Sequence, residues 1–151
     1  MNPVTQGFKR PESVLVVIYT PDLQVLLLER AKHPGYWQSV TGSREGAESF
    51  IETACREVAE ETGIRLDSSA FQAWPGENIY EIMPEWRHRY APDVTHNRER
   101  VFSLCLPNTC DIHLSPSEHR AWRWVPAQEA AKACFSASNR DAILAILHKS
   151  S

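Results

Sequence analysis

At 151 residues, 42% hydrophobic and 23% charged, the chain has the size and balance of one soluble globular domain with a sizeable core. Its 16 basic and 19 acidic residues leave a formal charge of -3 with no long block of either sign, which argues against a surface built for nucleic-acid polymers or anionic membranes. Any phosphate recognition must therefore be local.

Ser13 to Tyr19 and Gln24 to Glu29 are short runs of β-branched and aliphatic residues separated by the turn residues Thr20, Pro21 and Asp22, and they predict a hairpin of buried strands. Further strands are expected at Gln38 to Thr41, Asn78 to Met83, Val101 to Leu106 and Ala121 to Val125. The clearest helix begins at Ser49, with Glu52 completing a capping box, and stops at Gly63; Ile51, Ala54, Cys55 and Val58 form its expected buried stripe. A second helix is predicted over about Asn139 to Lys149 and a short one after Pro126, while Trp86 to Arg100 reads as a long polar loop. Strands alternating with helices in this order predict α+β or an α/β/α sandwich with a mixed sheet, in one domain spanning 1–151. Cys55, Cys105, Cys110 and Cys134 lack a CxxC pair or zinc-site spacing and read as reduced thiols. The first residues lack the order of a cleavable leader, and no apolar run is long enough to span a membrane, so a cytoplasmic protein is expected.

At 100° per residue, Glu57, Glu60 and Glu61 fall within about a 100° arc of the first helix, opposite its apolar stripe. Like charges three and four residues apart repel, and they lie near the helix C-terminus, where the macrodipole also disfavours them. A bound cation relieves both penalties. Carboxylates without Cys or His partners suit a hard ion such as Mg²⁺, with Mn²⁺ as a substitute, which takes its remaining ligands from water and phosphate. The alternative is a solvated acidic face.

The segment from Gly42 to Ile64 decides between these, because GSREGAESFIETACREVAEETGI meets every fixed position of the Nudix box, G-x5-E-x7-R-E-U-x-E-E-x-G-U with U aliphatic. By that resemblance the chain is identified as a member of the Nudix hydrolases. What it implies is the Nudix fold with its loop-helix-loop, an α/β/α sandwich with a mixed β-sheet, and hydrolysis of a diphosphate linkage. It also implies metal ligation by Glu57, Glu60 and Glu61, with Arg56 bracing the loop against Glu48, and with Gly42 and Gly63 as structural glycines. Members commonly carry Gly just before the first box Glu, whereas this chain has Ala47 after Gly46, so a slightly rearranged loop turn is expected.

Nudix specificity comes from outside the box. Lys9-Arg10-Pro11, Trp37 to Gly42, Arg87 to Pro92 with Val94-Thr95 and Asn97, Glu118-His119 before Trp124, and Ser138 to Arg140 are together similar to the bacterial dihydroneopterin triphosphate diphosphatases. That resemblance runs over nearly the whole chain and implies release of pyrophosphate from a pterin triphosphate, an early step toward folate. Lys9, Arg30, Arg87 and Arg89 are the expected phosphate neutralisers. Trp37, Tyr80, Trp86 and Phe135 are candidates for stacking a flat ring, although Trp37 reads first as structural. Thr41, Glu81 and Ser136 are candidates for its edge, with Tyr80, Glu81, Ile82 and Met83 as a pocket wall.

The implied reaction is attack of water on phosphorus with Mg²⁺ at the phosphate oxygens. Glu57 and Glu61 are expected ligands, Glu60 a ligand or the base, and Glu118, an acid in a late loop, a further ligand or the base. The rivals are a Nudix enzyme for nucleoside triphosphates such as dATP or for nucleotide sugars, and a noncatalytic Nudix-like ligand sensor. A monomer and a homodimer fit the sequence equally.

Overall fold

The computed structural model describes residues 7–149. The start of the leader reading, 1–6, lies outside the described residues, as do 150 and 151, so the span 1–151 is described only in part.

The sheet is built around β1, Glu12–Tyr19, six of whose eight residues are buried. Both faces of this strand are covered, which is why its sequence is a continuous apolar run rather than an alternation. Along one edge β1 pairs in parallel with β7, His96–Cys105, from Glu12↔Arg98 to Tyr19↔Cys105. Along the other edge its first half pairs antiparallel with β4, Val40–Ser43, from Ser13↔Ser43 to Val16↔Val40. The expected hairpin with β2, Gln24–Arg30, is therefore confined to its turn: the two strands share one register pair, Tyr19↔Val25. Beyond it β2 diverges to pair with β3, Trp37–Gln38, and with β8, His119–Pro126.

The single strand expected at Gln38 to Thr41 is two, β3 on the edge of β2 and β4 on the edge of β1. The chain changes partner at Ser39, whose N–H donates to Asn139 Oδ1 at 2.8 Å while Asn139 Nδ2 donates to Ser39 Oγ at 3.0 Å. A side chain thus takes the backbone donor that the sheet leaves free. On the far side of β7 lie β5, Phe71–Ala73, and β6, Asn78–Glu81. β5 and the 3₁₀ turn before it, Ser68–Ala70, were not expected from the sequence.

Successive side chains along β1 and β2 point to opposite faces of the sheet and enter two cores. Val14, Val16, Ile18, Leu26 and Leu28 pack against Ala54 and Val58 of α1, Phe50–Thr62. Leu15, Val17, Val25 and Leu27 pack against α2, Ala127–Ala133, and α3, Ala137–Lys149. A mixed sheet between helical layers is the expected α/β/α sandwich. Among the described residues no helix is long and apolar enough to cross a membrane, and the four cysteines are unpaired.

Two further expectations need correction. The segment from Trp86 to Arg100 is not one loop, because Pro84–Arg89 forms a 3₁₀ helix and β7 already begins at His96. The first half of β7 alternates exposed and buried residues, but the buried ones, Asn97 and Glu99, are polar. A strand whose inward face is polar looks like a loop in sequence. The buried face of α1 is also rotated: it comprises Thr53, Ala54, Glu57, Val58, Glu61 and Thr62, with Ile51 and Cys55 only partly covered.

Both ends of α1 follow the sequence. Ser49 Oγ accepts from the Glu52 N–H at 3.2 Å and the Ser49 N–H donates to Glu52 Oε1 at 2.8 Å, and Gly63 takes φ +80° while its N–H donates to Ala59 O at 2.9 Å. A Cβ at Gly63 would also lie 3.0 Å from His113 Cβ. Gly63→Ala is therefore expected to lower unfolding stability by about 1 kcal/mol or more, read as a shifted urea midpoint; an unchanged midpoint would contradict the strain assigned to this cap.

Candidate active site

The site starts from the register of α1. Thr53, Glu57 and Glu61 repeat every four residues and face β4, so two carboxylates are carried into the protein: Glu57 is 8% exposed and Glu61 1%. Gly42 on β4 makes room for the first. A Cβ there would sit 2.1 Å from Glu57 Cδ, so only glycine lets this carboxylate lie against the strand backbone.

Burial holds Glu61 well above the ordinary carboxylate range, and its contact with Glu57, repulsion from Glu57 and repulsion from Glu118 push it the same way, against the Thr41 backbone N–H. Among the described residues its Oε1 has no hydrogen-bond partner, although it is buried. Opposite stands His119 Nε2, at 3.9 Å. Burial, seconded by Arg30, lowers His119 to about 4, so near neutrality the ring is uncharged and gives Glu61 no counter-charge. Gln38 Nε2 lies 3.3 Å from His119 Nε2. With the amide as donor, the ring proton is assigned to Nδ1.

Arg56 organises the loop before the helix. It donates to Glu48 at 2.5 and 3.0 Å, to Glu57 at 2.5 Å, to Glu60 at 3.0 and 3.1 Å and to the Ser43 carbonyl at 3.0 Å. These bonds hold Glu48 down at about 2 and Arg56 above its ordinary value. The expected brace between Arg56 and Glu48 is present, and Gly46, with φ +53°, makes the loop turn beside Ala47. Glu60 does not join Glu57 and Glu61: it is exposed and turned toward Arg56.

Glu57 and Glu61 line a cleft of about 1340 Å³, above the roughly 300–1,000 Å³ of an ordinary small-molecule pocket. Lys9, Arg30 and Arg89 are among the cations that line the same cleft. A register shift between Glu29 and Arg30 in the β2–β8 pairing re-aims Arg30, whose guanidinium lies 5.1 Å from the Trp86 ring and donates to Gln38 Oε1 at 3.3 Å. The Lys9 N–H donates to the Arg89 carbonyl at 2.8 Å, tying the segment before β1 to the 3₁₀ helix. Lys9 is lowered to about 8, first by burial and then by Arg89 and Arg30. Glu118 enters from the loop before β8 and is raised by burial and by repulsion from Glu57 and Glu60.

The cleft also gathers Thr41, Tyr80, Glu81, Ile82, Met83 and Ser136, all expected from the sequence. Trp86 and Phe135 line it too, in edge contact at 5.8 Å, with Tyr36 stacked on Phe135 at 4.7 Å. Arg87 and Trp37 are outside its lining; Trp37 packs with the second core under the Arg123 guanidinium at 4.2 Å. Sequence reasoning missed Gln38, His119, Ser13 and Glu99 as cleft residues. Glu99 gave no signal in the sequence, because the residues on both faces of this part of β7 are polar.

The donor set suits a hard divalent cation: oxygens only, one of them orphaned in a buried carboxylate, beside a strand whose missing Cβ leaves the second carboxylate room. Glu57 and Glu61 form its nucleus, with Glu118 across the cleft. Among the described residues no three acidic, histidine or cysteine groups converge tightly enough to hold an ion as they stand, because Arg56 draws Glu60 away.

Comparison with known proteins gives a consistent result. Residues 9–146 match the NUDIX domain family. A dihydroneopterin triphosphate diphosphatase of Escherichia coli (strain K12) is 44% identical over 139 residues, 90% of this chain and 91% of that one. One from Haemophilus influenzae (strain ATCC 51907 / DSM 11121 / KW20 / Rd) is 40% identical over 90% of this chain and 87% of its own. The solved structure of the E. coli dihydroneopterin triphosphate pyrophosphohydrolase superposes with a TM-score of 0.85 at 43% identity, covering 91% of this chain and 95% of that one. A C. elegans Ap4A hydrolase at 22% identity and a TM-score of 0.63 shares the fold.

A raised carboxylate in the folded state opposes folding once it must ionise. For Glu61 the cost is absent below its ordinary value of 4.5 and grows as the pH rises above it. With chelator present, Glu61→Gln is expected to raise Tm at about pH 8 and to leave it unchanged at about pH 4. Equal or lower Tm at the higher pH would mean that Glu61 is not held against its charge.

Proposed function

The chain belongs to the Nudix hydrolase family, and from that premise we propose that it cleaves dihydroneopterin triphosphate to dihydroneopterin monophosphate and pyrophosphate. Nudix enzymes are hydrolases of diphosphate bonds that use divalent metal ions; here the proposed ion is Mg²⁺, with Mn²⁺ able to replace it. The observation that carries the reading is that one cleft is lined both by charged groups, Glu57, Glu61 and Glu118 with Lys9, Arg30 and Arg89, and by the apolar and aromatic groups of Tyr80, Ile82, Met83, Trp86 and Phe135. A phosphate tail fits the first and a flat ring the second. The identity to pterin triphosphate diphosphatases over nine-tenths of the chain supports the same assignment.

A divalent cation held by Glu57, Glu61 and Glu118 would supply charge neutralisation at the phosphate oxygens and lower the pKa of water there. The protein's own groups do the rest. Arg30 and Arg89 offer planar pairs of donors to phosphate oxygens, and Lys9 a point charge between them. Phosphate at this end returns Lys9 toward its ordinary, protonated state. Glu118 is the proposed proton acceptor for the attacking water or a further ligand of the ion, because its raised pKa favours accepting a proton and its loop stands clear of the helix. Arg56, Glu48, Gly42 and Gly63 position the glutamates without touching substrate. We further place the protein in the cytoplasm, working as a single domain.

Turnover is expected to require Mg²⁺ or Mn²⁺ and to be blocked by Ca²⁺, which accepts a looser and longer oxygen shell; full activity in excess chelator would sink the metal assignment. In a panel assay, pyrophosphate should be the product, and dihydroneopterin triphosphate should show a higher kcat/KM than dATP or GTP. Equal use of a nucleotide would remove the pterin assignment and leave the diphosphatase. Glu118→Gln is expected to lower kcat about 10²-fold or more with little change in Tm, and near-normal kcat at every Mg²⁺ concentration would make Glu118 a bystander.

A further inference from the structure

Glu99 is the buried acid that the phosphate chemistry does not use. It lies on β7, opposite Ser13 of β1 in the register, on the α3 side of the sheet, and is 4% exposed while lining the cleft. Arg98 and Arg100 on either side point outward, Arg98 to Glu77 at 2.9 Å and Arg100 to Glu77 at 3.6 Å. Among the described residues no cation pairs with Glu99: its partners are the neutral Asn78 Nδ2, at 3.2 Å, and the Ser138 hydroxyl. Burial raises it above the ordinary carboxylate range.

The groups beside it are neutral and fixed. Asn97 Nδ2 donates to Ser13 Oγ at 2.7 Å and to the Tyr80 hydroxyl oxygen at 3.1 Å, leaving Asn97 Oδ1 buried without a partner among the described residues. Two donors therefore leave much of the capacity of a carboxylate, some four lone-pair sites, unused, next to the orphaned acceptor of Asn97. A buried acceptor surplus of this kind is costly unless a ligand brings donors.

We propose that Glu99 is the specificity residue of the cleft, its carboxylate accepting two parallel N–H bonds from the ring N–H and exocyclic amino group of a 2-amino-4-oxopyrimidine edge. That edge presents two coplanar donors at the spacing of a carboxylate's oxygens. It occurs in pterins and in guanine and is absent from adenine, which carries an acceptor at the corresponding ring nitrogen. Leu15 and Tyr80, which also line the cleft, give the ring an apolar and an aromatic neighbour, while the phosphates run toward α1. Glu81, the acid expected from sequence to meet the ring edge, lines the cleft but is exposed, and its competing hydration makes it the poorer reader. The assignment to the pterin edge rests on the substrate reading above; the recognition of the 2-amino group does not.

The test separates the two. GTP and ITP differ in the 2-amino group alone, so the wild-type kcat/KM should favour GTP by about 10-fold or more, the size expected for one lost bond to a charged acceptor, and Glu99→Gln should erase that preference. Neopterin, which has the edge and no phosphate, should bind the wild type in chelator, followed by its fluorescence. Its affinity should fall at least about 10-fold in Glu99→Gln while that for pyrophosphate with Mg²⁺ is kept. Ser138→Ala, which leaves the carboxylate in place, should weaken neopterin less and serves if the first variant folds poorly. Equal handling of GTP and ITP by the wild type, no neopterin binding, or neopterin binding untouched by Glu99→Gln would each overturn the proposal. A wild type that prefers GTP to dihydroneopterin triphosphate but still rejects ITP would sink the substrate reading and leave Glu99 as the reader of the edge.

Discussion

One guanidinium underlies the active-site end of the molecule. Arg56 gathers Glu48, Glu57 and Glu60 and a backbone carbonyl of β4, so a loop, a helix and a strand are tied at a single planar cation. The planarity matters as much as the charge: a lysine has one compact head and cannot span acceptors in several directions at once. Without Arg56, the carboxylates of Glu48, Glu57 and Glu60 would lose the cation they share, and removing one partner of such a network costs more than the network gains over apolar packing. Arg56 also settles which glutamates stay free. By engaging Glu60 on the solvent side it leaves Glu61 as the carboxylate with an unsatisfied inward oxygen.

The cleft divides unlike electrostatic tasks between its ends. Near α1, burial and like-charge neighbours outweigh the opposite charges that face them: Lys9 is depressed by burial and by Arg89 and Arg30, and Glu61 and Glu118 are raised by burial and by neighbouring glutamates. Such mutual frustration is the arrangement of a site that completes its charge balance with a cation and a polyanion together. On the inward face of β7, among the described residues, no cation pairs with Glu99, which lies among neutral hydrogen-bonding groups. A phosphate would be repelled there and a ring bearing N–H groups welcomed, so the substrate is oriented by exclusion as well as by attraction.

What could be read from the sequence was local. The capping box, the terminal glycine and the carboxylate spacing of α1 depend on residues within a few positions of one another, and all are found in place. The glutamate trio was read too simply, because helical angle alone ignores Arg56, which turns Glu60 aside. β7 was hidden for a different reason. In Asn97, Arg98, Glu99 and Arg100 charge and polarity fall on both faces, the inward ones lining a cleft and the outward ones meeting solvent, so the usual contrast between apolar and polar sides is lost. The pairing of Gln38 with His119 and the break at Ser39 arise from strand register and from Asn139 of a distant helix, contacts no short window contains.

The parallel pairing of β1 with β7 has a bearing on how the chain reaches this state. Every register pair, from Glu12↔Arg98 to Tyr19↔Cys105, joins residues separated by more than half the chain. During synthesis the most apolar strand therefore emerges long before its full-length neighbour, and closing that loop costs entropy before any pairing returns it. Such topologies fold slowly and keep unpaired strand edges in solution meanwhile. Val14 to Ile18 is thus the segment through which a stalled or truncated chain would associate with others, and the delay ends when β7 is complete.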